Sequence, residues 1–182
     1  MKKVFALVVT VLSLVTTSCK KGDDLDPKTQ SPAPKEVVGK WSFGRSSAGS
    51  YWDNGNDYIG HANEQSMSFE FKKNGTYECY TINNVTAYSC RTEVFSFEKG
   101  HVKFNEEEGT LTVTPTEGNF KSKDNCVSSH NFKRNMTAAE LKEHKKVYYY
   151  TLTESRGEPA ILISTIPNAT EYDGLLMTPG SW

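Results

Sequence analysis

The sequence predicts an all-β domain: an antiparallel up-and-down barrel of about eight strands with one short helix. Three observations carry this expectation. Short runs alternate apolar with polar residues, the period of a strand with one buried face. One pair of such runs brackets Asn74-Gly75, a strong local signal for a hairpin. Aromatic residues make up 12% of the chain, with nine Tyr and nine Phe, side chains that favour strands over helices.

Val37 to Phe43 reads as the first strand, with Trp41 and Phe43 on one face. Residues 44–60 are rich in Gly, Ser, Asn and Asp, interrupted by Tyr51, Trp52 and Tyr58, and read as a long loop. Met67, Phe69 and Phe71 then alternate with polar residues ahead of the Asn-Gly turn, and a second run covers Thr76 to Ile82. The turn allows two registers. A two-residue turn sets Lys73 opposite Thr76 and points Cys79 away from Phe69. A three-residue turn with Gly75 left-handed sets Phe71 opposite Tyr77 and buries Cys79. The second is preferred because it puts Phe71 and Tyr77 on one buried face; a slip by one residue would exchange the faces.

Cys90 to Glu98 forms the next strand, carrying Val94 and two Phe, and Lys99-Gly100 reads as a turn into His101 to Phe104. Glu106 to Gly109 turns into Thr110 to Thr114, with Leu111 and Val113 on one face. Residues 115–135 read as polar and irregular. Thr137-Ala138-Ala139-Glu140 has the spacing of a capping box, so a short helix is expected to about Lys145. Val147 to Thr153 and Ala160 to Thr165 pair around Arg156-Gly157-Glu158-Pro159, and the tail offers one more strand near Tyr172 to Met177. Consecutive hairpins of this kind favour a meander that closes to hide its edges.

The start of the chain carries an address. Lys2 and Lys3 precede an apolar run of 11 residues, Phe5 to Val15, interrupted by Thr10 and Ser13. That length suits the roughly 7–15 residues of an export signal and falls short of the ~20 needed to span a bilayer. Thr16, Thr17 and Ser18 then lead into Cys19. Small residues ending in cysteine resemble the lipobox of bacterial lipoproteins, with Thr16 where an apolar residue is usual. The resemblance implies a signal peptide over 1–18 and lipid on Cys19, which would attach the protein to a membrane. Residues 19–36, with Lys20, Asp23, Asp24, Asp26 and four prolines or serines from Ser31 back to Pro27 and on to Pro34, have too few apolar residues to pack and are expected to be a flexible tether. An acidic cluster just after the cysteine resembles lipoproteins of the Bacteroidota type, which implies an outer-membrane lipoprotein displayed at the cell surface, with the periplasmic face as the alternative. The folded domain is then expected over 37–182.

Charge excludes one class of partner. The chain has 21 basic and 22 acidic residues; removing 1–18 takes Lys2 and Lys3 with it and leaves a net charge of −3. A nucleic-acid footprint would be strongly basic. With Cys19 committed to lipid, Cys79, Cys90 and Cys126 remain, and an oxidising envelope permits a bridge while leaving one thiol over. The pairing Cys90–Cys126 is favoured because it ties a strand start to the polar segment, which has little core of its own. Cys79–Cys90 is the alternative. No C-x-x-C spacing suggests a metal, and no cofactor is implied. His61, His101, His130 and His144 are scattered and read as solvated, and no G-x-S-x-G, phosphate loop or H-E-x-x-H motif is present. The chain therefore reads as non-catalytic.

A further likeness joins the pieces. Gly39-Lys40-Trp41 on the first strand, Phe71 to Tyr77 around the Asn-Gly turn, Cys90 before a Phe-containing strand, Leu111 to Pro115 and the later Cys126 together resemble a poorly characterised family of lipocalin-like bacterial lipoproteins. The resemblance implies a small barrel with an internal cavity. Lipocalins often set an Arg or Lys near the barrel's end against the G-x-W tryptophan, and here no basic residue follows Arg156. The expected role is binding of a small apolar molecule or a glycan. Candidate contacts are Phe69, Phe71 and Tyr77 inside, Tyr51, Trp52 and Tyr58 on the loop, and Tyr149 from the Tyr148-Tyr149-Tyr150 triplet. The alternative is a structural or interaction module of an envelope complex with no small ligand.

Overall fold

The computed structural model describes residues 30–46, 50–52, 58–61, 63–87 and 89–181, with side chains over 30–44, 64–87 and 89–181. Cys19, residues 1–18 and the tether up to residue 29 lie outside them.

Eleven strands and one α-helix make up the described fold. They are β1 (Gly39–Ser46), β2 (Ser50–Trp52), β3 (Tyr58–His61), β4 (Asn63–Phe71), β5 (Thr76–Ala87), β6 (Cys90–Asn105), β7 (Thr110–Asp124), β8 (Phe132–Asn135), α1 (Ala138–Glu143), β9 (Lys146–Ser155), β10 (Glu158–Ser164) and β11 (Leu175–Pro179). Eight of the strands form an antiparallel ring in the order β1-β4-β5-β6-β7-β9-β10-β11, closed by β11 against β1. Ring neighbours follow one another along the chain, apart from two excursions. The β2–β3 hairpin stands between β1 and β4 as a separate two-stranded sheet, while β8 and α1 stand between β7 and β9. The all-β up-and-down architecture with one short helix is the one the sequence predicts.

The ring reaches eight strands by a different count. The segments expected as two strands about Lys99-Gly100 are one strand, β6, with a bulge at that point. Gly100 sits opposite Pro115, and a Cβ there would collide with the Thr114 carbonyl, so glycine marks a close crossing of strands rather than a reversal. The tail supplies the missing strand as β11, which pairs Met177 with Ile161. Residues 44–60 are not one loop, since β1 runs to Ser46 and β2 and β3 pair beyond it. Residues 115–135 are not irregular either: β7 continues to Asp124 and β8 pairs with its far half. The alternation there was hidden because every residue of β8 is exposed and no apolar period survives.

The Asn-Gly hairpin takes the preferred register. Phe71 faces Tyr77, Phe69 faces Cys79, and Gly75 is left-handed at φ 73°. A Cβ on Gly75 would also collide with the backbone of Ser31. That collision reveals the plug of the closed end. Ser31 donates its amide to the Val102 carbonyl at 3.1 Å and accepts the Phe104 amide at its hydroxyl at 2.8 Å. Gln30 is buried, and Val37 is fully buried. Residues 30–36, expected within the tether, are therefore part of the fold, and packing starts before Val37. Pro32 and Pro34 gave this stretch a linker's composition, but Ala33 packs against the core.

The core lies on the inner faces at this end: Trp41, Phe69, Phe71, Val102, Phe104, Leu111, Ile161, Ile163 and Met177 are all buried. Phe69 and Phe71 stack at 5.2 Å, and Phe104 meets Phe71 edge-on at 5.6 Å. The Trp41 indole N–H donates to the Val37 carbonyl at 2.7 Å, which ties the first strand to the plug.

Candidate functional site

Above this packed end the ring opens onto a cavity of about 260 Å³. Strand alternation decides what lines it. Following the register from Phe71 and Tyr77 inward, β4 presents Met67 and Phe69, and β5 presents Tyr77, Cys79, Thr81 and Asn83. Across the next pairing, Cys79 stands opposite Glu98, Thr81 opposite Ser96 and Asn83 opposite Val94, so β6 contributes those three residues. Val113 and Phe120 of β7, Lys146 and Tyr148 of β9, and His144 complete the wall. Phe95 and Phe97 occupy the opposite face of β6, where Phe97 lies 5.0 Å from Tyr80 and the Lys121 ammonium sits over Phe95.

His144 reaches the cavity through a chain of fixed contacts. Met136 is buried against Gly118, where any side chain would collide with its sulfur. Thr137 then opens α1 with the expected capping box: its hydroxyl accepts the Glu140 amide at 3.3 Å, and the Glu140 carboxylate accepts the Thr137 amide at 2.8 Å. Arg134 on β8 grips the same carboxylate with two nitrogens at 2.7 and 2.9 Å, which together with the cap holds Glu140's carboxyl down at about 2. His144 caps the other end of the helix, its amide donating to the Glu140 carbonyl. Its ring meets Phe120 edge-on at 5.8 Å, and Nδ1 lies 2.6 Å from Glu98 Oε1.

Burial grades the lining from floor to mouth. Tyr77 is 1% exposed, Cys79 and Tyr148 are buried, and the Glu98 side chain is 13% exposed. Asn83, Val94 and Lys146 are exposed at the mouth. Burial pushes the Cys79 thiol up to about 12, helped by the Glu98 charge. Burial pushes Tyr148 up to about 12 as well, with Cys79 and Glu98 adding to it. Burial, then Glu98, raises Tyr77 further. At neutral pH the floor therefore holds the protonated Cys79, Tyr148 and Tyr77 beside the Glu98–His144 pair. Cys79 is held as a thiol and lacks the thiolate that nucleophilic chemistry requires.

The predicted site residues divide. Phe69 and Tyr77 line the cavity. Phe71 lies beneath it in the packed core, because its place beside the turn puts it at the plugged end. Tyr149 is on the outer face: Tyr148 and Tyr150 pack inward, so the residue between them cannot. Trp52 pairs with Tyr58 in the β2–β3 hairpin, while the side chains of Tyr51, Trp52 and Tyr58 lie outside the described residues. Cys90 and Cys126 form a disulfide, and Cys79 is a buried free thiol.

Glu98 and His144 were missed. His144 sits in a polar stretch and reads as a surface residue. Glu98 is masked by Phe95 and Phe97, which draw the eye to the wrong face of β6. Carrying the Phe71–Tyr77 register across to β6 would have found Glu98.

Among the described residues no group of three or more His, Cys, Asp or Glu could hold a metal, and no helix is long and apolar enough to cross a membrane. Compared with known proteins, the chain matches no family model and no curated protein.

Proposed function

We propose that the protein is an envelope-anchored, non-catalytic binding protein that holds a small, largely apolar ligand inside the ring. The cavity is the observation that carries this reading. Met67, Phe69, Val94, Val113 and Phe120 give it apolar walls, and the plug at residues 30–38 closes the far end. Ligand sites are typically concave and apolar, with a few polar groups to fix orientation. The size sets a class. A cavity of roughly 150 Å³ holds benzene, so 260 Å³ suits a molecule of one or two rings. The anchor is the lipid proposed on Cys19, at the outer membrane and facing the cell surface. The disulfide fits the oxidising side of such a membrane.

Two measurements test the two parts. Titrating the purified full chain with 2-naphthol is expected to give saturable one-to-one binding. At about −0.5 kcal/mol per heavy atom, inside the usual range for ligands of this size, Kd is on the order of 0.1 mM. Val94→Trp, which fills the mouth from an exposed inner position, is expected to abolish it. Binding that survives Val94→Trp unchanged would place the ligand elsewhere and defeat the reading. For the anchor, mass spectrometry of the chain from native envelopes is expected to find acylated Cys19 as the first residue. An intact, unacylated N-terminus would remove the anchor.

A further inference from the structure

Tyr77 is almost fully buried, lines the cavity floor, and its hydroxyl has no hydrogen-bond partner among the described residues. Its environment limits what a partner could be. A buried hydroxyl is costly to leave unpaired, and this one can both donate and accept. Glu98 stands on the neighbouring strand, opposite Cys79, one inward position along from Tyr77. Its carboxylate is an acceptor only and is engaged with His144 at 2.6 Å.

Three polar head groups can be compared at this floor. A carboxylate could accept the Tyr77 proton, but it would be brought out of water beside another carboxylate, where like charges repel strongly in a low dielectric. An ammonium would be drawn to Glu98 but can only donate, so the Tyr77 O–H would stay unspent. A hydroxyl accepts from Tyr77, carries no charge, and still has a proton to give toward the Glu98 side. Weakened acidities at Cys79, Tyr148 and Tyr77, to each of which burial contributes most and Glu98 adds, agree with a floor that disfavours added negative charge. Lys146, the lysine of the lining, is exposed at the mouth rather than buried at the floor.

We propose that the cavity selects small cyclic alcohols and phenols, with the ligand hydroxyl on Tyr77 and the ring between Phe69 and Phe120. This rests on the reading of the cavity as a ligand site. It adds a head-group rule that the apolar walls alone would not impose.

The test uses four probes of nearly one shape on the purified full chain: naphthalene, 2-naphthol, 2-naphthoate and 2-naphthylmethylammonium. Isothermal titration is expected to rank 2-naphthol about tenfold tighter than naphthalene, the scale of one hydrogen bond made by an otherwise unpaired buried group, with 2-naphthoate weakest. Tyr77→Phe removes only an unpartnered oxygen, so the fold is retained. It is expected to bring 2-naphthol down to the affinity of naphthalene and leave naphthalene unchanged. Glu98→Gln is expected to raise the affinity for 2-naphthoate about tenfold. If naphthalene, 2-naphthoate or the ammonium binds as tightly as 2-naphthol, or if Tyr77→Phe leaves the ranking intact, the head-group rule is wrong while the cavity remains a ligand site. If none of the four binds the wild-type chain, the ligand site itself is lost.

Discussion

The same strands build both ends of the interior, and the two ends differ in chemistry. Near the plug, β4 and β6 turn Phe71, Val102 and Phe104 inward, and the Trp41 indole and the Ser31 hydroxyl find protein partners at Val37 and Phe104. Farther along, the inward residues become Met67, Thr81, Asn83, Ser96 and Glu98, and the space between them stays open. Alternation continues through both regions, so the backbone does not register the change. Apolar burial is the dominant favourable contribution to folding, which places most of the stability at the plugged end and leaves the open end free to carry polar groups.

Phe→Ala at each end probes that contrast most directly. Phe71 is 1% exposed and touches Phe69 and Phe104, so Phe71→Ala is expected to cost about 3–5 kcal/mol. Phe120 is half-buried beside space that already exists. Phe120→Ala is expected to cost about 1 kcal/mol. Urea unfolding of both variants measures the pair. Equal costs would mean that the open end shares the core, contrary to the division drawn here.

The far halves of β6 and β7 have little apolar burial to hold them, and there a covalent tie takes over. Cys90 and Cys126 are 36 residues apart, all four residues of β8 are exposed, and the 3-10 turn at Ser128–His130 buries nothing. Loop-closure entropy for that separation predicts a loss of roughly 3–4 kcal/mol on removing the bridge. The double variant Cys90→Ser, Cys126→Ser is expected to lose that much. Hydrogen exchange should quicken in β8 and in residues 117–124 before it does in β10. A loss spread evenly over the ring would contradict a region held mainly by its bridge.

Sequence alone exposed the plugged end better than the open one, for a physical reason. A strand with one buried face announces itself by period, as Met67-Phe69-Phe71 and Leu111-Val113 do, and the Asn-Gly turn narrowed the β4–β5 hairpin to two registers, between which the buried face decided. The Cys90–Cys126 pairing was readable because a long polar segment needed a tie. Where both faces of a strand are half-solvated, as in β6 before Gly100, period does not say which face is inside, and Phe95 and Phe97 pointed to the wrong one. Composition misled in the same way at residues 30–36: prolines and serines look like a linker, yet a plug needs only a few well-placed hydrogen bonds. His144 depends on contacts across 46 residues that no local pattern contains.

The floor of the cavity should show itself in alkali. The Cys79 thiol rises from 9.0 to about 12 on folding, burial first and the Glu98 charge second. The folded chain therefore keeps this proton at pH values where the unfolded chain has lost it. The stability it contributes is full below pH 9 and is lost as pH rises toward 12. Tyr77 and Tyr148 join with the same sign at higher pH. Cys79→Ala is expected to flatten the decline in urea midpoint between pH 9 and 10, whatever it does to the midpoint at pH 7. A decline as steep as in the wild type would show that Cys79 is not the group responsible.

The smallest expected effect separates stability from position. Thr137 caps a six-residue helix that buries none of its residues, so Thr137→Ala is expected to cost only about 1 kcal/mol. Its consequence for the cavity should be larger than that figure suggests. A helix this short has little stability of its own, and His144 is placed by it at the Glu98 carboxylate. The Arg134 pair with Glu140 remains as a second hold, so Thr137→Ala alone should weaken the placement and Thr137→Ala with Arg134→Ala should release it. The nuclear Overhauser contact between the His144 and Phe120 rings reports this directly. It is expected to vanish in the double variant while the urea midpoint changes little. Should the contact persist, β9 rather than the cap positions His144, and the open end would owe its geometry to the ring after all.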